Sequence, residues 1–369
     1  MIIELHAIQT FAPSNLNRDD TGNPKEALFG GVRRARISSQ SAKRAMRVSD
    51  VFKDAAAVPT GTRTKKLVKE IADRLEPVGI ERAWAEEQLL EIAKSLYAKM
   101  DSRRVQETSV LLFISEEEKD AIANFLQGAR DSDTEPNATS FVKDMVKQLT
   151  NRTSAPDIAL FGRMLAEKPA LNIDAACQVA HAISTHEVNT AEFDYFTAVD
   201  DLTPEEDSGA GMLGLVPFNS ATYYRCARID WEQLVQNLGG DAGLARQTVN
   251  AFMQAFALVV PTGMQNSFIN KHQPDFLLAA ARPNNDGQSL ANAFETPVKN
   301  GRDSGYAEPS IRALGKYWDQ VEGAFRLAQP TLAVLNPRGY ALHSDELSGA
   351  SVANLGEWIG VMTAALGEG

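Results

Sequence analysis

Cysteine and histidine are scarce in this chain, whose 369 residues include two of the first and five of the second. Cys177 and Cys226 stand far apart and form no C-x-x-C or other metal-ligand spacing, which excludes a disulfide framework and a zinc ribbon. Both read as core-packing thiols of a reducing compartment. His6, His181, His186, His272 and His343 include no H-E-x-x-H, and the offset between His181 and His186 does not put both on one helical face. No metal site and no cofactor is expected. G-x-G-x-x-G, the P-loop pattern and the G-x-S-x-G elbow are also missing, so nucleotide hydrolysis and acyl transfer lack support. Nowhere do eighteen apolar residues run together, and the first residues carry no basic leader region. A cytoplasmic protein with no membrane partner is expected.

Positive charge is also in deficit, with 37 Lys and Arg against 48 Asp and Glu and a net charge of −11. Such a chain repels a nucleic-acid duplex except through a localised patch, which argues against indiscriminate DNA coating. One patch stands out. The stretch 32–47, VRRARISSQSAKRAMR, holds six basic residues and no acidic one; the rest of the chain carries −17. The first half reads as a strand, on which Arg34 and Arg36 point to one side and Arg33 to the other. The second half reads as a helix to about residue 48, with Ser38, Ser39 or Ser41 available to cap its first N–H groups. Gln40, Lys43, Arg44 and Arg47 recur at three- and four-residue spacing and share a face, while Ala42, Ala45 and Met46 turn toward a core. Two charged rows thus converge near a helix N-terminus, where the dipole favours anions. The candidate phosphate contacts are Arg34, Arg36, Ser39, Gln40, Lys43, Arg44 and Arg47. A solvated basic face that merely balances an acidic protein is the competing reading, but the run lacks the interspersed Glu partners of a salt-bridged surface helix. Nucleic-acid backbone is the leading partner.

With 44% hydrophobic residues the chain can build one large domain with insertions or two domains. Strands are expected at 2–9, 32–37, 109–115, 158–164, 221–229 and 275–281. Helices are expected at 80–100, 116–128, 140–149, 174–184, 241–259, 310–328 and 355–366, and 203–211 as a protruding acidic tip. The class is α+β. Asp19-Asp20 and Asp200-Asp201 can hold Mg²⁺ only if other oxygens converge on them; adjacent loop carboxylates also serve as turn formers or caps.

Several motifs fall in a telling order. Leu16-Asn17-Arg18-Asp19-Asp20, Ala27-Leu28-Phe29-Gly30-Gly31 and the basic run are followed by Asp157 to Met164 (DIALFGRM), Ala180 to His186 (AHAISTH) and Phe196 to Leu202 (FTAVDDL). Ala291 to Glu295 (ANAFE), Pro309-Ser310-Ile311 and Tyr317-Trp318-Asp319 continue the series. Nearly the whole chain thereby resembles the CasC family, the RNA-binding backbone subunits of Cascade, the type I-E CRISPR surveillance complex of antiviral defence. That resemblance implies an RRM-like (ferredoxin-like) palm over 1–54, 156–193 and 221–369, a helical fingers insertion over 55–155 and a thumb hairpin over 194–220. It implies a non-catalytic protein whose partners are crRNA, the target DNA strand paired to it, other Cascade subunits and usually six copies stacked head to tail in a helical filament. By carry-over, Lys43 and Arg47 hold guide phosphates with Arg18, Lys25 and Gln40 beside them. Met164 is a wedge between bases, and Phe196 and Leu213 support the kinked pairs, although the neighbouring Met212 and Leu215 leave open which thumb residue inserts. The alternative is an Mg-dependent ribonuclease that cuts target RNA, as related type III backbone subunits do, with Asp19 or Asp20 as the reactive carboxylate. A further alternative is a structural protein whose filament forms without RNA.

Overall fold

The structure is a computed structural model that describes residues 1–97, 100–104, 106–165, 168–188, 192–197, 213–283, 287–301, 305–326 and 328–367. The chain divides into two compact units, one of residues 1–51, 179–228 and 252–368, the other chiefly of 52–178 and 229–251.

The first unit is built on a sheet in the spatial order Thr331–Leu335, Phe276–Arg282, Ile2–Ser14, Leu213–Asp230, Ala182–Ser184, Val32–Ile37, Glu26–Phe29. Ile2–Ser14 runs antiparallel to Phe276–Arg282, with Ile2 opposite Arg282 and Ile8 opposite Phe276. The first strand is buried on both faces, which explains its weak alternation and its extension well past residue 9. Its Ile8 joins Tyr224, Phe276, Leu278 and Val334 beneath the helix Ala307–Phe325, which contributes Ile311, Leu314 and Trp318. Glu4 and His6 on this strand are buried polar groups, and both have partners: Arg282 Nε lies 2.9 Å from Glu4, and the His6 ring bonds the Tyr224 hydroxyl at 2.8 Å.

At the other edge, Glu26–Phe29 and Val32–Ile37 form a hairpin that turns at Gly30-Gly31, both at positive φ. Val32–Ile37 then pairs with Ala182–Ser184, Arg36 opposite Ile183. The expected helix 174–184 is therefore a correction. Its segment forms two short strands, Cys177–Val179 and Ala182–Ser184, because Ile183 and Ser184 also ladder onto Tyr224 and Tyr223 of the long strand. Those non-local bonds override the local helical preference. Glu192–Thr197 pairs with the start of Leu213–Asp230 as an antiparallel ladder from Glu192 opposite Phe218 to Thr197 opposite Leu213. The expected acidic tip at 203–211 lies outside the described residues.

In the second unit, the helices Leu67–Leu75, Arg82–Tyr97, Glu116–Asp131 and Ala138–Gln148 enclose a core of Val68, Ile71, Leu89, Ile92, Ile122, Leu126, Val142 and Met145. Thr62–Thr64 pairs with Leu112–Ile114, the buried centre of the strand expected at 109–115. Ser115 and Glu118 start the third of these helices with a reciprocal capping box. The expected strand 158–164 is a second correction. Pro156–Phe161 is a helix, with Pro156 in its first turn and buried Asp157 accepting from the Gly61 N–H at 2.7 Å. Cys177 and Cys226 are buried and not disulfide-bonded. Among the described residues no helix is long and apolar enough to cross a membrane.

Candidate nucleic-acid interface

The basic run folds as strand Val32–Ile37 followed by helix Ser39–Val48. Ser38 is the N-cap, and its hydroxyl accepts from the Ser41 N–H at 3.3 Å. The helix has no acidic residue in its first turn, has Arg47 in its last, and buries Ala45 and Met46. Gln40 and Arg44 are exposed and Ser39, Lys43 and Arg47 half-buried, so the polar face expected from the spacing lies on the outside.

The helix N-terminus is already occupied. Ser39 N–H donates to His181 Nδ1 at 2.9 Å, and Ser38 N–H donates to Asn17 Oδ1 at 2.8 Å. Together with the Ser41 bond, these contacts commit the Ser38, Ser39 and Ser41 donors that the dipole argument reserved for an anion, which shifts anion binding at this helix toward side chains. Burial and the positive charge of Arg36 lower the His181 pKa below its ordinary value. Because the folded pKa is depressed, this cap is present at neutral pH and is lost as pH falls through the folded value. Asn17 and His181 are supporting residues that charge and periodicity did not flag; both fall within the motifs that open and continue the series of blocks.

Asn17 draws the preceding loop against the helix. Lys25 N–H donates to Asn17 O at 2.9 Å and Arg36 N–H to Lys25 O at 2.8 Å, so Lys25 stands beside the strand. Arg36 is half-buried and its Nε donates to Glu26 O at 3.1 Å. Exposed Arg18 reaches Met264 Sδ at 3.6 Å. Arg18 and Arg44 line one cleft of about 590 Å³, with Ser41, Asp20 and the segment Thr262-Gly263-Met264. Gly263 is required there, since a Cβ would lie 2.4 Å from Leu16 O. Asp19 also borders the cleft, but its carboxylate accepts from Thr21 N–H, Thr21 Oγ1–H and Asn23 N–H at 2.8 to 2.9 Å. The Thr21 hydroxyl, backbone donors and nearby Lys25 hold its pKa below the ordinary aspartate value. Asp19 organises the turn, and the carboxylate oxygen Oδ1 is committed to it.

Arg34 does not belong to this face. It is wholly buried, donating to Ser184 O at 2.9 Å, Phe294 O at 2.8 Å and Glu295 O at 3.2 Å. Alternation put Arg34 and Arg36 on one side correctly, yet that side is covered at Arg34 by the segment carrying Phe294 and Glu295. Arg33, on the opposite side, is paired with Glu26 at 2.7 Å.

Met164 lies in the second unit and is 86% exposed. It borders a cleft of about 530 Å³ walled by Arg63, Leu111, Phe113, Phe161 and Ile173. The backbones of Phe196 and Leu213 lie in the Glu192–Thr197 ladder, opposite Gly214 and Thr197 respectively; their side chains lie outside the described residues. On the same ladder Phe193, Tyr195 and Leu215 are exposed, and the Phe193 and Tyr195 rings meet edge to face with centroids 5.7 Å apart. Among the described residues no group of three or more His, Cys, Asp or Glu is placed to hold a metal ion.

Comparison with known proteins bears on the same architecture. The family model described as CT1975-like protein matches residues 3–359. A chain of a solved structure described as "CRISPR RNA-guided surveillance complex, pre-nicking" is 30% identical with a TM-score of 0.85, over 99% of this chain and 100% of that one. A chain of another, described as "CRISPR RNA-guided surveillance complex", is 27% identical with a TM-score of 0.74 over the same shares. No curated protein matches. A family match over nearly the whole length, joined to a full-length structural relative, means that this chain belongs to the CT1975-like family of CasC-like proteins.

Proposed function

We propose that Gln40, Lys43, Arg44 and Arg47, with Arg18, Lys25, Arg36 and Ser39 beside them, form the track that holds the phosphates of crRNA. The protein is a non-catalytic backbone subunit of a type I-E CRISPR surveillance complex. The observation that carries the phosphate track is a helix without an acidic residue in its first turn, set in a chain of net charge −11, whose charged face points outward beside a cleft lined by Arg18 and Arg44. Contacts to phosphate position a strand without reading it, so sequence choice is left to base pairing between the guide and target DNA. In this reading 1–54, 156–193 and 221–369 supply the palm, the helical insertion over 55–155 the fingers, and 194–220, with the ladder at Glu192–Thr197, the thumb. Met164, Phe196 and Leu213 interrupt base stacking at intervals along a guide covered by head-to-tail copies, in the cytoplasm and in company with the other Cascade subunits.

Replacing Lys43→Ala together with Arg47→Ala tests the track in the assembled complex. Affinity for guide RNA is expected to fall, and the slope of log affinity against log salt to flatten by about 0.7 for each phosphate contact removed. Unchanged affinity and slope would refute it.

A further inference from the structure

Met164 is a flexible side chain on a segment that is otherwise immobilised. Gly162, two residues before it, sits at φ +77°, where a Cβ would lie 2.8 Å from Ile173 O. Arg163 and Ile173 exchange both backbone hydrogen bonds at 2.9 Å. Leu165 N–H, on the other side of Met164, donates to Asn172 Oδ1 at 2.6 Å, and Leu165 is buried.

The main clamp is Arg163. Its side chain is 1% exposed; Nε donates to Leu171 O at 2.9 Å, and Nη1 donates to Phe113 O at 3.2 Å and to the Glu118 carboxylate at 2.7 and 2.8 Å. Glu118 is held in turn, since its Oε2 accepts from Ser115 N–H at 2.7 Å and from Ser115 Oγ–H at 2.9 Å. Glu118 thus ties the start of the helix Glu116–Asp131 to the residue that precedes Met164.

A buried ion pair is a poor device for stability alone, because well-packed apolar side chains of the same volume usually serve as well or better. Here the charges anchor the residue just before one exposed thioether, while the neutral Asn172 amide holds the Leu165 backbone just after it. We propose that Arg163 and Glu118 are positioning residues that hold Met164 at the height and angle needed to enter the guide between bases. The proposal rests on the reading of Met164 as a wedge. Without the pair, the Ile173 and Asn172 bonds still tether the 163–165 backbone, but the anchor of Arg163 to Leu171 O, Phe113 O and Glu118 is gone, so the segment shifts, Met164 leaves its angle and bases close over the gap.

The test uses the complex assembled on guide RNA that carries 2-aminopurine beside each expected kink, where unstacking raises fluorescence. The double replacement Arg163→Met with Glu118→Leu keeps the buried volume apolar. It is expected to retain RNA affinity and its salt slope, which report the phosphate track, but to lose the fluorescence increase as fully as Met164→Ala does. Should the double variant fail to fold, Arg163→Lys decides, because it keeps the charge but not the planar fork, and reduced fluorescence is expected. Wild-type fluorescence in the deciding variant, with loss in Met164→Ala, overturns the positioning role and leaves the wedge standing. Wild-type fluorescence in Met164→Ala overturns both.

Discussion

Arg34 and Lys43 lie in one basic run and carry the same formal charge, yet they answer to different physics. Arg34 is a buried cation whose donors satisfy three carbonyls, two of them on the segment Phe294-Glu295. Arg34→Met strips those carbonyls of their partner, two of them in buried bonds, and is expected to cost about 2–4 kcal/mol of stability. Thermal unfolding of the RNA-free protein measures this, and the salt slope of RNA binding should stay at its wild-type value. A stable Arg34→Met with a flattened slope would return Arg34 to the phosphate track. The strand period told which arginines share a side. It carried no information on what covers that side, because the covering residues come from far along the chain.

At the scale of elements, the same boundary separates what was legible from what was not. The helices Arg82–Tyr97, Glu116–Asp131 and Ser39–Val48 follow from periodicity, capping residues and charge, all encoded within a few turns. The segments 158–164 and 174–184 are short, apolar or alanine-rich, and their state was decided by Gly61 meeting Asp157 and by Tyr223 and Tyr224 offering a ladder. For the site, the face of the basic helix was readable, whereas the occupation of its N-terminus by Asn17 and His181 was not. That N-terminus makes a prediction of its own. Ser38→Ala removes the acceptor of the Ser41 N–H and is expected to cost about 1 kcal/mol, while Ser38→Asp retains most of it. Denaturant unfolding distinguishes the two, and equal loss from both variants would show that the hydroxyl does not cap.

For the whole molecule, the question is what an acidic protein gains from one basic track. Subunits of net charge −11 repel one another, and a contact between two different surfaces does not close on itself, so it can continue into an open helical array. If the proposed track holds, a shared polyanion lying along the Lys43 and Arg47 faces of successive copies would offset that repulsion and make assembly conditional on RNA. Nuclease-treated protein at moderate salt is therefore expected to be free of filaments by light scattering. Adding guide RNA should produce particles whose mass, by native mass spectrometry, grows in whole-subunit steps with RNA length and is indifferent to spacer sequence. Raising the salt should dissolve them, with log affinity falling by about 0.7 per unit of log salt for each phosphate neutralised on the single strand. Filaments that persist after nuclease treatment would mean that protein contacts alone overcome the charge, and RNA would then be cargo rather than template.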